Sequence, residues 1–371
     1  MSQLGGWGGW GGWGGWGGWG GWGASGGWGG IENPAGIASG GAGFQQNPFA
    51  LISSRDATLV PLDDSCYPVV LPPVDDPEAM QRWEPWVRAY ICQAALLEPL
   101  SFAKVGDNGA ALWHIETKVA ASAKPVAHLV RPSVAAFKEQ TKKVLSWADL
   151  REERTAEIIA QVEPQFAFWA SITNMSPART PRTLELINCA MLLAINVEMQ
   201  FKHALACWRP VEYSAQVQPI IPTPGHGALP SGHATQAYIV AHVIQRLLQL
   251  PANHPVTGQL QRLSARIATN RVVAGVHFPA DSLSGRLLGE TLGEYFVARC
   301  SDDKTWMPRC FEGSAMPFDA DLMPSSQPLD GPDAPPFYKS FGPASGAATS
   351  GVLKYMWHKA AKEWEDVRFK P

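Results

Sequence analysis

The sequence is short of most features that assign a chain at sight. Charge is sparse, with 17% of the 371 residues Asp, Glu, Lys or Arg and a net charge of −3. There is no basic patch interleaved with aromatics, so a nucleic-acid surface is excluded. The six cysteines, Cys66, Cys92, Cys189, Cys207, Cys300 and Cys310, form no Cys-x-x-Cys pair and no zinc spacing. They read as buried thiols, with Cys300 and Cys310 as a candidate bridge. No apolar run approaches the ~20 residues needed to span a bilayer. The longest, Ile187–Met199, is broken by Asn188, Asn196 and Glu198. The first residues carry neither a basic nor an apolar leader region, so a secretory signal is not expected. The chain is expected to be soluble and cytoplasmic. Nothing alternates with period two, so strands are not expected either.

What is present begins with a repeat. Residues 5 to 30 repeat Gly-Gly-Trp, carrying Trp7, Trp10, Trp13, Trp16, Trp19, Trp22 and Trp28. Glycine at two positions in three makes an ordered backbone costly, so residues 1–46 are expected to form a tail without a core of its own. An extended three-fold helix would put every indole on one side, which offers a route to self-association into a homo-oligomer or to binding a surface.

Residues 47–371 read as one helical catalytic domain, and the 46% hydrophobic content of the chain can fill its core. Asp76 caps and Pro77 opens a helix running to Leu97. Further helices are expected at Ala110–Ala123, Ser133–Trp147, Leu150–Val162 and Pro164–Met175. The long Thr180–Arg209 element is apolar on several faces, as a central helix would be. Ser231–Leu250, Thr257–Ala274, Pro279–Cys300 and Val352–Val367 complete the set, while residues 301–350 read as loop. The fold class is all-α, a helical bundle.

Three separated stretches carry the chemistry. Lys202 and Arg209 are seven positions apart, close to two helical turns, so both cations can leave one face before Pro210. In Pro230-Ser231-Gly232-His233, Pro230 stops the preceding loop, Ser231 can cap, and Gly232 lets backbone amides approach an anion at a helix start. Prolines 219, 222, 224 and 230 stiffen the loop before it as the wall of a cleft. In the third stretch, Arg271 lies in an apolar run where a buried guanidinium needs an anion. His277 stands just before Pro279, and Asp281 lies inside the new helix, near enough to orient the ring. Three cations, one helix N-terminus and two histidines suit a tetrahedral or trigonal-bipyramidal oxyanion.

The ordered pattern Lys-x6-Arg-Pro, Pro-Ser-Gly-His and Arg-x5-His-x3-Asp resembles that of the type 2 phosphatidic acid phosphatase and vanadium-dependent haloperoxidase superfamily. It is met at Lys202, Arg209, Pro210, Pro230, Ser231, Gly232, His233, Arg271, His277 and Asp281, within residues 180–300. Asn270 stands where the family often has serine. The resemblance implies that Lys202, Arg209, Ser231, Gly232 and Arg271 hold the oxyanion. In a haloperoxidase His277 would be the sole protein ligand of vanadate, and His233, assisted by Lys202, would serve hydrogen peroxide and a halide. In a phosphatase His277 would be the nucleophile, oriented by Asp281, with His233 as acid.

The stretches around Arg209 and His233 look like those of vanadium haloperoxidases. His226 occupies a position where bromoperoxidases also carry histidine, which points to bromide or iodide over chloride, with an organic acceptor of the oxidised halogen left open. The alternatives are a soluble phosphatase of the same superfamily and a non-catalytic assembly protein led by the Gly-Gly-Trp tail.

Overall fold

The computed structural model describes residues 48–59, 70–115, 123–346 and 350–366. The Gly-Gly-Trp repeat and Cys66 lie outside the described residues. Two compact units divide at Arg88/Ala89. The described part of the first holds α1 (Pro48–Thr58) and a 3-10 turn, Pro77–Arg82. Asp76 caps that turn as expected, accepting from the Glu78 amide at 3.0 Å. The turn does not continue into the expected single helix: a new one, α2 (Pro85–Leu97), starts at Pro85, because the residue before a proline is steered away from the helical region.

The second unit continues with β1 (Leu100–Val105), β2 (Gly109–Ile115) and β3 (Ala123–Val130). These strands correct the expected helix at Ala110–Ala123. Every residue of β2 is buried or half-buried, so its apolar run shows no alternation and cannot be told from a helical segment by periodicity. Four helices follow: α3 (Val134–Trp147), α4 (Arg151–Ala160), α5 (Phe166–Thr173) and α6 (Pro181–Leu205). The short α7 (Pro210–Tyr213) precedes α8 (Gly232–Leu247), α9 (Pro255–Val273) and α10 (Pro279–Cys300).

The stretch expected as loop contributes β4 (Thr305–Trp306), β5 (Arg309–Glu312), β6 (Tyr338–Ser340) and β7 (Ala344–Ser345) before α11 (Gly351–Lys362). The main sheet runs β1-β2-β3-β5-β6, with β3 and β5 parallel and its other pairs antiparallel. It is an addition to what is otherwise a helical bundle. Cys300 and Cys310 do not form the candidate bridge: both are free, buried thiols, on α10 and β5.

The bundle centre is α10, buried along nearly its whole length and packed most extensively against α8, which also meets α6 and α9. Three glycines at four-residue spacing make that contact. A Cβ on Gly285 would lie 2.7 Å from the Ser231 carbonyl, one on Gly289 2.5 Å from the Thr235 carbonyl, and one on Gly293 2.7 Å from the His242 Cβ. Small residues at i, i+4 and i+8 share one face, so the backbone of α8 can lie directly on α10. The stretch Pro181–Tyr213 is long and apolar enough to cross a membrane, but 78% of its apolar window is buried inside the protein, which accounts for its composition.

Gly289→Ala is expected to destabilise the fold by about 1–2 kcal/mol, because overpacking at a backbone contact outweighs the gain in helix propensity of about 1 kcal/mol. Thermal unfolding checks this, and an unchanged or raised Tm would contradict the packing described.

Candidate oxyanion site

The expected helix through Arg209 ends earlier, at Leu205, where Ala206 turns left-handed at φ 48°. Arg209 therefore does not share a helical face with Lys202. It sits at the head of α7, its amide donating to Glu212 Oε2 at 2.6 Å, and reaches the site from a corner of the chain. Lys202 is buried on α6 and donates to three carbonyls, those of Gly227 and Ala228 at 3.2 Å and of Pro230 at 2.5 Å. It thus pins the loop that leads into α8. An ammonium has three donors, so all are engaged, and what Lys202 offers the site in this state is its charge.

Ser231 caps α8, its Oγ accepting from the Ala234 amide at 3.4 Å. Its own amide donates to the Asp281 carbonyl at 2.9 Å, which ties the start of α8 to the start of α10 and removes that amide from the expected anion donors. A Cβ on Gly232 would lie 2.7 Å from Glu198 Oε1, so any larger residue there must displace that carboxylate. Glu198 was not a candidate in the sequence. It is buried on α6 one turn before Lys202 and accepts from Gln236 Nε2 at 3.1 Å, while its Oε2 has no partner among the described residues.

The third stretch folds as its residues suggest. Gly275 takes φ +84° to turn the chain out of α9, and Pro279 opens α10. Asp281 Oδ2 then receives His277 Nδ1 and the Phe278 amide, both at 2.9 Å. Arg209 Nη1 lies 2.9 Å from His277 Nε2. A guanidinium can only donate, so Nε2 carries the lone pair and Nδ1 the proton, given to Asp281. The same logic fixes the His233 ring, whose Nε2 donates to the Gln161 carbonyl at 2.9 Å. His226 Nδ1 lies between a donor, Arg209 Nη2 at 3.1 Å, and an acceptor, the Gly227 carbonyl at 3.2 Å.

Arg271 is buried at the end of α9. Its Nη2 donates to the Ile158 carbonyl at 3.0 Å and to Gln161 Oε1 at 3.3 Å, whereas Nε and Nη1 have no partner among the described residues.

Electrostatics shows that these groups form one cluster. Burial drives His233 down to about 3, with Arg271, Lys202 and Arg209 adding to the effect. Burial and the Lys202 and Arg209 charges drive His226 down to about 4. His277 falls well below its ordinary value through burial, Arg209, Lys202 and the other two histidines. Burial also depresses Lys202 to about 7, with Arg209 opposing its charge, and raises Asp281 and Glu198 to about 7. A cleft of about 600 Å³ reaches Lys202, Arg209 and His226 between Met199, Trp208 and Pro224. All ten residues of the sequence pattern thus fall on this cluster or the turns that carry it, while Glu198 and Gln161 join it without belonging to any motif.

Residues 183–306 match the model of the PAP2 superfamily. The matched stretch is similar to that superfamily's domain, and every residue from Lys202 to Asp281 described above lies inside it. Among solved structures, one match is titled "Crystal structure of the first bacterial vanadium dependant iodoperoxidase", at 20% identity and a TM-score of 0.31. The match covers 41% of this chain and 47% of that one, so it spans under half of the neighbour's length. No curated protein matches the chain.

Lys202 loses its proton above about pH 7 in the anion-free site, and Asp281 and Glu198 become negative over the same range. A bound anion stabilises the protonated forms, so binding takes up protons there. The affinity for molybdate, a tetrahedral dianion, is expected to weaken by up to about tenfold per pH unit above pH 7 for each proton taken up. Calorimetric titration checks this, and a Kd independent of pH between about 6 and 9 would contradict the charge assignment.

Proposed function

We propose that this chain is a vanadate-dependent haloperoxidase oxidising bromide or iodide with hydrogen peroxide. The observation that carries the reading is Arg271, a buried guanidinium with Nε and Nη1 unmatched, in one cluster with a histidine whose Nε2 lone pair is defined. A buried guanidinium with N–H groups left unmatched costs several kcal/mol, and an oxyanion would remove that cost. The residues present fit such a group: Arg209, Arg271 and Lys202 supply positive charge, the first turn of α8 supplies amides not used within the helix, and His277 supplies one nitrogen lone pair. When bound, vanadate would supply a Lewis acid that activates hydrogen peroxide toward a halide.

The chain's own residues have definable parts. Asp281 holds the Nδ1 proton of His277 and so keeps Nε2 available as a donor atom. His233, neutral at physiological pH, has Nδ1 as its only acceptor and can take a proton there. Arg209 and His226 stand where the cleft meets the cluster, which is where a halide would enter. The likeness of the Trp208-Arg209-Pro210 and Pro230–Gln236 stretches to haloperoxidases favours this branch over hydrolysis. The non-catalytic reading is disfavoured because a retired site has no reason to keep buried, unmatched cations.

The deciding experiment pairs two assays on purified protein: peroxide- and bromide-dependent halogenation with and without added vanadate, and hydrolysis of an aryl phosphate ester. Vanadate-dependent halogenation that phosphate suppresses supports the proposal. Ester hydrolysis that vanadate inhibits would assign the same residues to a phosphatase, with His277 as nucleophile. His277→Ala should abolish either activity. His226→Phe should leave vanadate affinity within about twofold while altering halide turnover by about tenfold or more, and unchanged halide kinetics would refute its role.

A further inference from the structure

The end of α4 lies outside the stretch that matches the superfamily, yet it seats two residues of the oxyanion site. The last carbonyls of a helix have no intrahelical donors and carry the negative end of its dipole, so they favour cationic and N–H groups. Here the Ile158 carbonyl receives Arg271 Nη2 at 3.0 Å, and the Gln161 carbonyl receives His233 Nε2 at 2.9 Å. The Gln161 side chain, fully buried, adds a third acceptor: its Oε1 takes Asn270 Nδ2 at 2.9 Å and Arg271 Nη2 at 3.3 Å.

The orientation of that amide is fixed from behind. Gln161 Nε2 donates to Glu157 Oε1 at 2.9 Å, and Glu157 is itself clamped by Arg266, whose Nε lies 2.9 Å from Oε2. A carboxylate accepts only, so the amide nitrogen must face Glu157 and the amide oxygen must face Arg271. A flipped amide would set its NH2 group against a guanidinium. With Nη2 held by two acceptors, the plane of the Arg271 fork is set, and Nε and Nη1 remain for the oxygens of a guest.

We propose that Gln161 is a positioning residue of the oxyanion site: its side chain aims the Arg271 guanidinium, and its carbonyl selects the His233 tautomer that bears the proton on Nε2. This rests on the reading that Arg271 and His277 hold an oxyanion. A carbonyl cannot donate, so His233 exchanges protons with a guest through Nδ1. The two effects are linked through one residue, so the arginine that binds the anion and the histidine that serves it are set by the same helix end.

The test measures binding of inorganic phosphate and of vanadate to wild-type protein and Gln161→Met, with the nitrogen-15 spectrum of the wild-type histidines. Methionine keeps the volume of the side chain and removes both amide groups. Its Kd for both anions should rise about tenfold, the scale expected when a ligand's supporting hydrogen bond is removed. The wild-type His233 signal should be that of a ring protonated at Nε2. An unchanged Kd in Gln161→Met, or a His233 ring protonated at Nδ1, overturns the inference; the spectrum decides even if the variant does not fold. Wild-type protein that binds neither anion overturns the oxyanion reading along with it.

Discussion

Three cations are buried together and give their hydrogen bonds to neutral dipoles, while Asp281, Glu198, Glu212 and Glu157 act on them through space. Lys202 rests on three main-chain carbonyls; Arg209 rests on the carbonyls of His226 at 3.1 Å and Val276 at 2.7 Å; Arg271 rests on a carbonyl and an amide oxygen. Carbonyls orient a cation without neutralising it, whereas a carboxylate would do both. None of these carboxylates receives a side-chain hydrogen bond from the three cations: Asp281 receives His277 and Glu198 receives Gln236. Burial first, and the neighbouring positive charges second, hold the histidines and Lys202 below their ordinary values.

The close packing of two helices keeps that field in register. Gly285, Gly289 and Gly293 let α8 lie on the backbone of α10, and the Ser231 amide bonds to the Asp281 carbonyl where the two helices begin. His233 stands on the first turn of one helix, and His277 and Asp281 stand at the start of the other. Their separation is set by two rigid backbones rather than by flexible loops, which is what a site that must hold charge apart from water requires. Arg209 arrives from a different element, so it can be carried by the corner after Ala206 without disturbing either helix.

Much of this was legible before any coordinates. Asp76 and Ser231 were recognisable caps, Pro279 a helix start, and Arg271, His277 and Asp281 a spacing that only a turn into a helix would bring together. The strand β2 was not legible, because a strand buried on both faces has no period to read. The end of α6 was missed because alanine at φ 48° gives no sign in the sequence, where glycine or proline would have. Gln161 and Glu198 could not be found locally: their partners are up to 110 and 38 positions away, and neither residue belongs to a motif. Gly232 was read as letting the backbone approach a ligand; in the structure a Cβ there would also meet the Glu198 side chain, a contact no local pattern could announce.

The central claim is that the unmatched charge on Arg271, Arg209 and Lys202 exists to hold one tetrahedral or trigonal-bipyramidal oxyanion against His277. Crystals of the protein soaked in tungstate test it most directly, because the metal is located by its anomalous scattering. The account predicts a single strong peak within bonding or hydrogen-bonding reach of His277 Nε2, with Arg271 Nε and Nη1 turned onto its oxygens. An empty cluster with Arg271 still unmatched, or tungstate bound elsewhere, would contradict it.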